Sequence, residues 1–239
     1  MSLTATYRLG TRLFWRDKAM LFASVLTPVG IAVGLPTLMR HVTAEGVAAA
    51  AALSQSAIAV VLSITAFMNI GVALTGRRDQ LVLKRLRCTR LTDGQILLGQ
   101  MASVATQTVA IIVVCVVAVR IVAGVPLPAN PVAFAAVTIA GSVVMTLLGA
   151  AYTAVIPRLE LAAAYTMPVF LVCGLSAGAM GPIPLPSWLQ AILDLLPTTA
   201  VVDAVRTGEL AVPFLILAVW AVLGYLALRL WFRWEPRRS

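Results

Sequence analysis

The sequence predicts an all-α integral membrane protein with six transmembrane helices. Of its 239 residues, 61% are hydrophobic and 11% are charged, whereas a soluble domain is about 45–50% apolar. The apolar residues form six blocks without Asp, Glu, Lys or Arg: 19–39, 47–75, 96–119, 132–156, 161–180 and 211–228. About 20 apolar residues in a helix cross the bilayer core, and only a helix pairs its own backbone groups in lipid. We therefore expect one transmembrane domain over residues 1–239.

The basic residues lie unequally on the two sides of these blocks. If the N-terminus is cytoplasmic, 15 of the 18 Lys and Arg residues lie inside, and only Arg40, Arg120 and Arg206 lie outside. Cytoplasmic loops of membrane proteins carry such an excess. We therefore expect a multi-pass protein of the cytoplasmic membrane with both termini in the cytoplasm. The net charge of +9 then reports topology, and no nucleic-acid partner is expected.

The segment before the first block, residues 1–18, predicts an amphipathic helix that lies on the inner leaflet. Arg8, Arg12 and Arg16 recur at every fourth position and form one basic stripe. A basic stripe opposite apolar residues is typical of interfacial helices. A frayed basic tail is the alternative.

The residue inventory excludes most enzyme chemistry. All nine acidic residues lie in loops or at block ends, and His41 is the only histidine. We therefore expect no catalytic and no metal site. The blocks also lack the ionisable group at membrane depth that a proton-driven carrier uses. Because the chain has no G-x-x-x-x-G-K-[ST] phosphate loop, energy for uphill transport would come from a separate ATP-binding protein.

Residues 76–92 predict a short amphipathic helix on the cytoplasmic side. Val82, Leu83 and Leu86 form an apolar arc, and the cations at the intervening positions point away from it. Such a helix can insert its apolar arc into a groove of a partner protein while its cations pair with acidic residues. A helix that anchors only to lipid is equally compatible with these residues.

Residues 181–210 predict an external helical hairpin before the last span. The segment contains four prolines, and the apolar stretch between them is too short to cross a bilayer. Trp188 is of the residue type that is enriched at the membrane interface. We therefore expect one or two short helices that dip into the outer surface of the membrane.

Polar residues within the spans are candidates for a transport pathway: Asn69, Thr138, Ser142 and Thr146. Small and hydroxyl-bearing residues also mediate helix packing in lipid, so the sequence leaves both roles open. Because no span carries a charge, we expect an apolar or amphipathic passenger.

The sequence LKRLRCTRL at 83–91 follows the second predicted span, and the elements LPSWL, LP and VDAVR lie between 185 and 206, before the last span. These motifs resemble the LKRLRATPL signature and the LPxWL, LP and VDALR elements of permeases in type II ABC exporters, the drug and antibiotic resistance branch in particular. The likeness covers essentially the whole chain. It departs at Leu81 and Val82, where the family often has Gly and Thr, and at Arg90, where it usually has Pro.

The resemblance implies a transporter subunit that exports a hydrophobic, drug-like compound and is not itself an enzyme. ATP and Mg²⁺ would be held by a separate ATP-binding subunit, so no cofactor is expected in this chain. A second permease copy or homologue would complete the transporter. The residues that couple to the ATPase would be Val82, Leu83, Lys84, Arg85, Leu86 and Arg87. The external gate would include Pro186, Trp188, Leu189, Pro197 and Arg206.

Two other functions fit the same sequence. The first is a glycan- or lipid-exporting permease of the same fold, which would need a pathway wide enough for a polymer. The second is an immunity or scaffold protein that binds a peptide without turnover.

Overall fold

The computed structural model is helical throughout its regular elements. It describes residues 7–8, 11–12, 18, 22–42, 47–88, 91–128, 130–179, 186–232 and 234–235. Within these ranges every regular element is a helix. The predicted all-α fold class is confirmed.

The α-helices that the described ranges resolve as complete elements are labelled α1 to α10. They are α1 (Thr27–Val42), α2 (Val47–Val61), α3 (Asn69–Asp79), α4 (Val82–Arg87), α5 (Asp93–Ala123), α6 (Pro131–Tyr152), α7 (Ala162–Ser176), α8 (Ser187–Leu193), α9 (Pro197–Thr207) and α10 (Ala211–Trp231). Short π-helices precede α1 at Phe22–Leu26 and join α2 to α3 at Leu62–Met68, and a 3-10 turn at Leu159–Leu161 precedes α7.

Five helical segments in the described ranges are long and apolar enough to cross a membrane. They are Ala50–Asp79, Asp93–Ala123, Pro131–Tyr152, Leu159–Ser176 and Ala211–Trp231. The first predicted span, 19–39, overlaps the helical run 22–42, in which the apolar helix Thr27–Leu38 is shorter than the five spans. The pair α8 and α9 is also apolar, but its two helices meet at 90°. A pair with such a bend is either a broken span or a re-entrant hairpin, and the sequence predicts the hairpin.

Local sequence signals determine where several helices begin and end. Thr92 and Gln95 form a capping box at the start of α5, because each side chain bonds the backbone N–H of the other. Asn130 caps α6 by accepting from the backbone N–H groups of Val132 and Ala133. At the other end of α5, Gly124 has a φ of +67°, a conformation that glycine adopts without a steric penalty.

The span that contains α2 and α3 lies at the centre of the bundle. About 78% of its most apolar stretch is buried, against 17% for α10. Helix α6 packs against this span and against α5, α9 and α10. At Gly149 a β-carbon would lie 2.5 Å from the carbonyl oxygen of Phe67, so this close approach of α6 requires glycine.

Helix α7 is attached to the bundle on one side only. It packs against α2, α3 and the π-helix between them, and it reaches α8 and α9. Among the described helices it does not pack along α10. A space therefore remains between α7 and α10, and α6 forms its inner wall.

Candidate coupling surface and membrane cavities

The end of α3 is fastened to the loop between α6 and α7. Arg78 is 2% exposed and donates to the carbonyl oxygens of Thr153, Ile156 and Pro157 at 3.1, 2.8 and 3.2 Å. Next to it, the Asp79 carboxylate accepts from the backbone N–H of Leu159 at 2.8 Å. These bonds connect two loops at the same end of the bundle.

A tight turn leads from α3 directly into α4. The backbone N–H of Gln80 donates to the carbonyl of Gly76 at 2.9 Å, and that of Leu81 donates to the carbonyl of Arg78 at 3.0 Å. Leu81 has a φ of +57°, which lies in the left-handed region that L-residues with a β-carbon rarely adopt. The position where the resembling family often has glycine is thus the position that needs a positive φ.

Helix α4 packs on its own chain through its apolar arc. Leu83 is fully buried in a cluster with Leu74 of α3, Ile96 of α5 and Phe232, which follows α10, and Leu86 packs against the same cluster. Leu83 therefore anchors α4 to α3 and α5, and its side chain is not accessible to a partner protein.

The cations of α4 differ in how far they are already paired. Lys84 bonds the Glu235 carboxylate at 3.2 Å, and both side chains are exposed. Arg87 bonds the Asp93 carboxylate at 2.9 Å and lies 4.8 Å from the ring centre of Trp234. Arg85 is exposed and has no ion pair among the described residues.

The segment after α10 is a part of this surface that sequence reasoning missed. Phe232 and Trp234 stack edge to face, with ring centres 5.0 Å apart, and both pack against the cluster that holds Leu83. The sequence feature that could have indicated this contact is the pair of aromatic residues, Phe232 and Trp234, followed by the acidic Glu235 shortly after the last span.

The predicted interfacial helix lies mostly outside the described residues, including Arg16. The described Arg8 and Arg12 are exposed. Between them in the chain, the Thr11 hydroxyl lies 2.9 Å from that of Ser103. This contact places Thr11 against α5.

The hairpin of α8 and α9 is held to the bundle by polar contacts on both of its sides, among them those of Arg206 and Trp220. Arg206 of α9 donates to the Ser56 hydroxyl at 2.6 Å and to the carbonyl of Ala177 at 3.3 Å. The indole N–H of Trp220 in α10 donates to the carbonyl of Leu195 at 2.7 Å, at the bend between α8 and α9. Among the predicted gate residues, Pro186, Trp188 and Arg206 are exposed, Leu189 is half-buried and Pro197 is buried.

The four pathway candidates lie inside the bundle. Thr138, Ser142 and Thr146 are at most 1% exposed, and each hydroxyl donates to the carbonyl four residues earlier at 2.6–2.7 Å. Asn69 is 4% exposed, and its side-chain oxygen has no hydrogen-bond partner in the described part of the chain. None of the four lines the cavities described next.

Two large cavities flank α10. The first, which we call the aromatic cavity, has a volume of about 660 Å³ and lies between α6, α7 and α10. Its aromatic lining residues are Phe67, Tyr152, Trp220, Trp231 and Phe232. The second, which we call the α5–α10 cleft, has a volume of about 560 Å³. Its lining residues are Asp93, Gly94, Leu97, Leu98, Met101, Leu147, Tyr225, Leu228, Arg229, Phe232 and Trp234.

Two polar groups that line the aromatic cavity form hydrogen bonds within the protein. The Tyr152 hydroxyl donates to the carbonyl of Tyr165 at 2.8 Å, and the Trp220 indole N–H is bonded to Leu195. Phe67 and Tyr152 lie with ring centres 5.3 Å apart. These residues therefore offer mainly apolar faces to the cavity.

Comparison with known proteins places this arrangement in a family. A comparison with curated proteins gave no match. The sequence profile described as "ABC-2 type transporter" matches residues 2–210, which include α1 to α9 and therefore both α4 and the hairpin of α8 and α9. A match over most of the chain, on a helical membrane fold, shows that the chain belongs to the ABC-2 type transporter family.

Proposed function

We propose that this chain is the permease subunit of an ATP-driven exporter that moves a hydrophobic or amphipathic compound out of the cell. Family membership makes it a membrane permease component of an ABC transporter and not a catalytic domain. It also implies association with an ABC ATPase subunit. The direction, the passenger and the contact surface are the parts that we propose.

The surface formed by α4 is the observation that carries the proposal. Leu83 fixes α4 to α3 and α5, while Lys84 and Arg85 face outwards. Arg78 fastens the end of α3 to the loop before α7. A force on α4 would therefore be transmitted to α3 and α5 and, through Arg78, to the loop between α6 and α7. A short helix that is fixed to the bundle and exposes cations is complementary to an ATPase groove that carries acidic residues.

The orientation we propose puts α4 in the cytoplasm. The segment after α10 and the loop between α6 and α7 lie at the same end as α4, because Glu235 contacts Lys84 and Ile156 contacts Arg78. The excess of Lys and Arg lies at this end, as expected for cytoplasmic loops. The hairpin of α8 and α9 then lies outside.

The aromatic cavity supports an apolar passenger. Its volume of about 660 Å³ lies within the range of about 300–1,000 Å³ that is usual for small-molecule sites. No Asp, Glu, Lys or Arg is among its lining residues, so a highly charged passenger would find no counter-charge there. A glycan polymer would also find few hydrogen-bonding groups.

Transport into inside-out vesicles tests the proposal. The vesicles come from cells that co-express the permease with an ABC ATPase and a second permease copy or homologue. They should accumulate a lipophilic fluorescent compound only when ATP is present. An ATPase whose phosphate-loop lysine is replaced should abolish accumulation. Accumulation without any ATPase, or ATP-driven loss from the same vesicles, would contradict the proposed power source or direction.

A matched pair of variants tests the cavity. Val155 lines the aromatic cavity at its exposed rim, and Val143 is similarly exposed on α6 but does not line it. Val155→Trp should reduce transport several-fold, because the indole occupies the space of the passenger, and Val143→Trp should not. Equal transport by the two variants would exclude the cavity as the passenger site.

A further inference from the structure

We propose that the α5–α10 cleft is a binding site for an anionic phospholipid, whose acyl chain lies in the cleft and whose phosphate pairs with Arg229. The inference does not depend on which compound is exported. It rests on the proposed orientation, in which the leaflet next to α4 is the cytoplasmic one, because the cleft lies at that end of the bundle.

The cleft has the size and the surface for an acyl chain. Leu97, Leu98 and Met101 of α5 form one wall, and Leu228 of α10 belongs to the opposite wall. The volume of about 560 Å³ would leave a large void inside the membrane if nothing filled it. In a bilayer, the abundant molecules that could fill this space with a long apolar chain are lipids.

The charges at the cleft determine which lipid fits. Two charged groups of opposite sign line it, Asp93 and Arg229. Asp93 is already paired with Arg87 at 2.9 Å. Arg229 has no ion pair among the described residues, so in this part of the chain the cleft presents one unpaired positive charge at the end of an apolar groove.

An uncompensated cation beside apolar walls favours a ligand that is itself anionic at one end. Basic pockets between transmembrane helices on the cytoplasmic side commonly bind acidic headgroups. Arg229 lies in the last turn of α10, and the neighbouring Trp231 and Trp234 are of the type found at headgroup level. A helix from a partner protein would fill the groove but would leave the cation unpaired unless it carried an acidic residue.

A lipid in this cleft would also contact the segment that supports α4. Phe232 and Trp234 line the cleft and pack against the cluster that contains Leu83. Occupancy of the cleft therefore stabilises the residues that position α4.

Two variants separate the ionic part of the site from the apolar part. Arg229→Gln removes the cation, and Arg158→Gln is its control, because Arg158 is an exposed cation that does not line the cleft. Gly94→Leu fills the groove. No atom outside its own helix lies within 4 Å of where a β-carbon of Gly94 would be, and leucine favours a helix more than glycine does.

The full chain, freed of lipid in detergent, is titrated with phosphatidylglycerol or phosphatidylcholine, and bound lipid is counted by native mass spectrometry. The natural chain and Arg158→Gln should prefer phosphatidylglycerol by about fivefold, the effect expected of one cation near the headgroup. Arg229→Gln should bind the two lipids equally, and Gly94→Leu should lose the high-affinity site for both.

Other outcomes would overturn the assignment. If Arg229→Gln keeps the preference for phosphatidylglycerol, the cation does not select the ligand. If Gly94→Leu binds as the natural chain does, the acyl chain lies elsewhere. If glycerol phosphate without acyl chains competes for the site, the ligand is a soluble phosphate and not a lipid.

Discussion

The guanidinium group of Arg78 donates a hydrogen bond to the carbonyl oxygen of Ile156 at 2.8 Å. Two further bonds to Thr153 and Pro157 complete the contact. Backbone carbonyls in a loop have no helical partner and need another donor when they are buried, and Arg78 donates to three carbonyls after α6. The end of α3 and the loop before α7 are thereby joined into one unit next to α4.

Replacement of Arg78 by methionine should lower the free energy of unfolding by about 3 kcal/mol. Methionine fills a similar space but leaves three carbonyl oxygens without this donor, and each buried unpaired group costs about 1–3 kcal/mol. Thermal unfolding in detergent measures the change. Arg158→Met, which alters an exposed cation in the same loop, should have little effect, and equal losses in the two variants would contradict the role of Arg78.

Replacement of Leu81 by glycine should stabilise the protein by about 1 kcal/mol. The left-handed conformation costs an L-residue about 1–2 kcal/mol, and the Leu81 side chain is 44% exposed, so little packing is lost. Gln80 is the control because its φ of −80° gives glycine no advantage. If Gln80→Gly raised the unfolding temperature as much as Leu81→Gly, relief of strain at Leu81 would not be the cause.

The spans could be predicted because hydropathy acts over long runs of residues. The block 96–119 lies within α5, Asp93–Ala123, and the extra residues extend to a capping box at Thr92 and a terminating Gly124. The residues to which the resemblance assigns coupling, Val82 to Arg87, form α4, and their contact with an ATPase stays a prediction. The N-terminal helix remains a prediction, since most of it lies outside the described residues.

Contacts between distant positions could not be predicted from the sequence. Lys84 and Glu235 are 151 positions apart, and no periodicity in either segment indicates that they meet. The amphipathic pattern of α4 correctly predicted that Leu83 lies on the apolar face and Lys84 on the polar face. It could not show that the residues that bury Leu83 belong to the same chain. The roles of Thr138, Ser142 and Thr146 in α6 were also left open, because small hydroxyl-bearing residues occur both at helix contacts and along transport pathways.

Replacement of Gly149 by alanine should destabilise the bundle by about 1–3 kcal/mol, the usual range for overpacking a core. The added methyl group would lie 2.5 Å from the carbonyl oxygen of Phe67 and 2.6 Å from Ile70 Cγ2, and backbone cannot move aside cheaply. Gly34→Ala is the control, because nothing lies within 4 Å of its β-carbon position. A drop in unfolding temperature that is the same for both variants would indicate a general effect of losing glycine.

Replacement of Arg206 by glutamine should loosen the hairpin of α8 and α9. A hydrogen bond from a charged group contributes about 1.5–3 kcal/mol when buried, and partial exposure of Arg206 reduces this to about 1 kcal/mol. Amide hydrogen exchange over α9 should accelerate, while exchange in α4 stays unchanged. Arg120→Gln, which removes only a weak local contact to Gly124 at 3.5 Å, should leave α9 protected, and faster exchange in that variant as well would point to the membrane environment instead.

Replacement of Arg85 by glutamate should weaken binding of the ATPase subunit at least about tenfold, because a like charge would face the acidic residues we expect in its groove. Arg85 has no ion pair among the described residues, so the unfolding temperature should not change. Leu83→Asp also removes binding in our proposal, but it places a charge in a fully buried position and should unfold α4 at the same time. Binding of Arg85→Glu with natural affinity, together with normal transport, would mean that the cation contributes to topology alone and that the ATPase docks elsewhere.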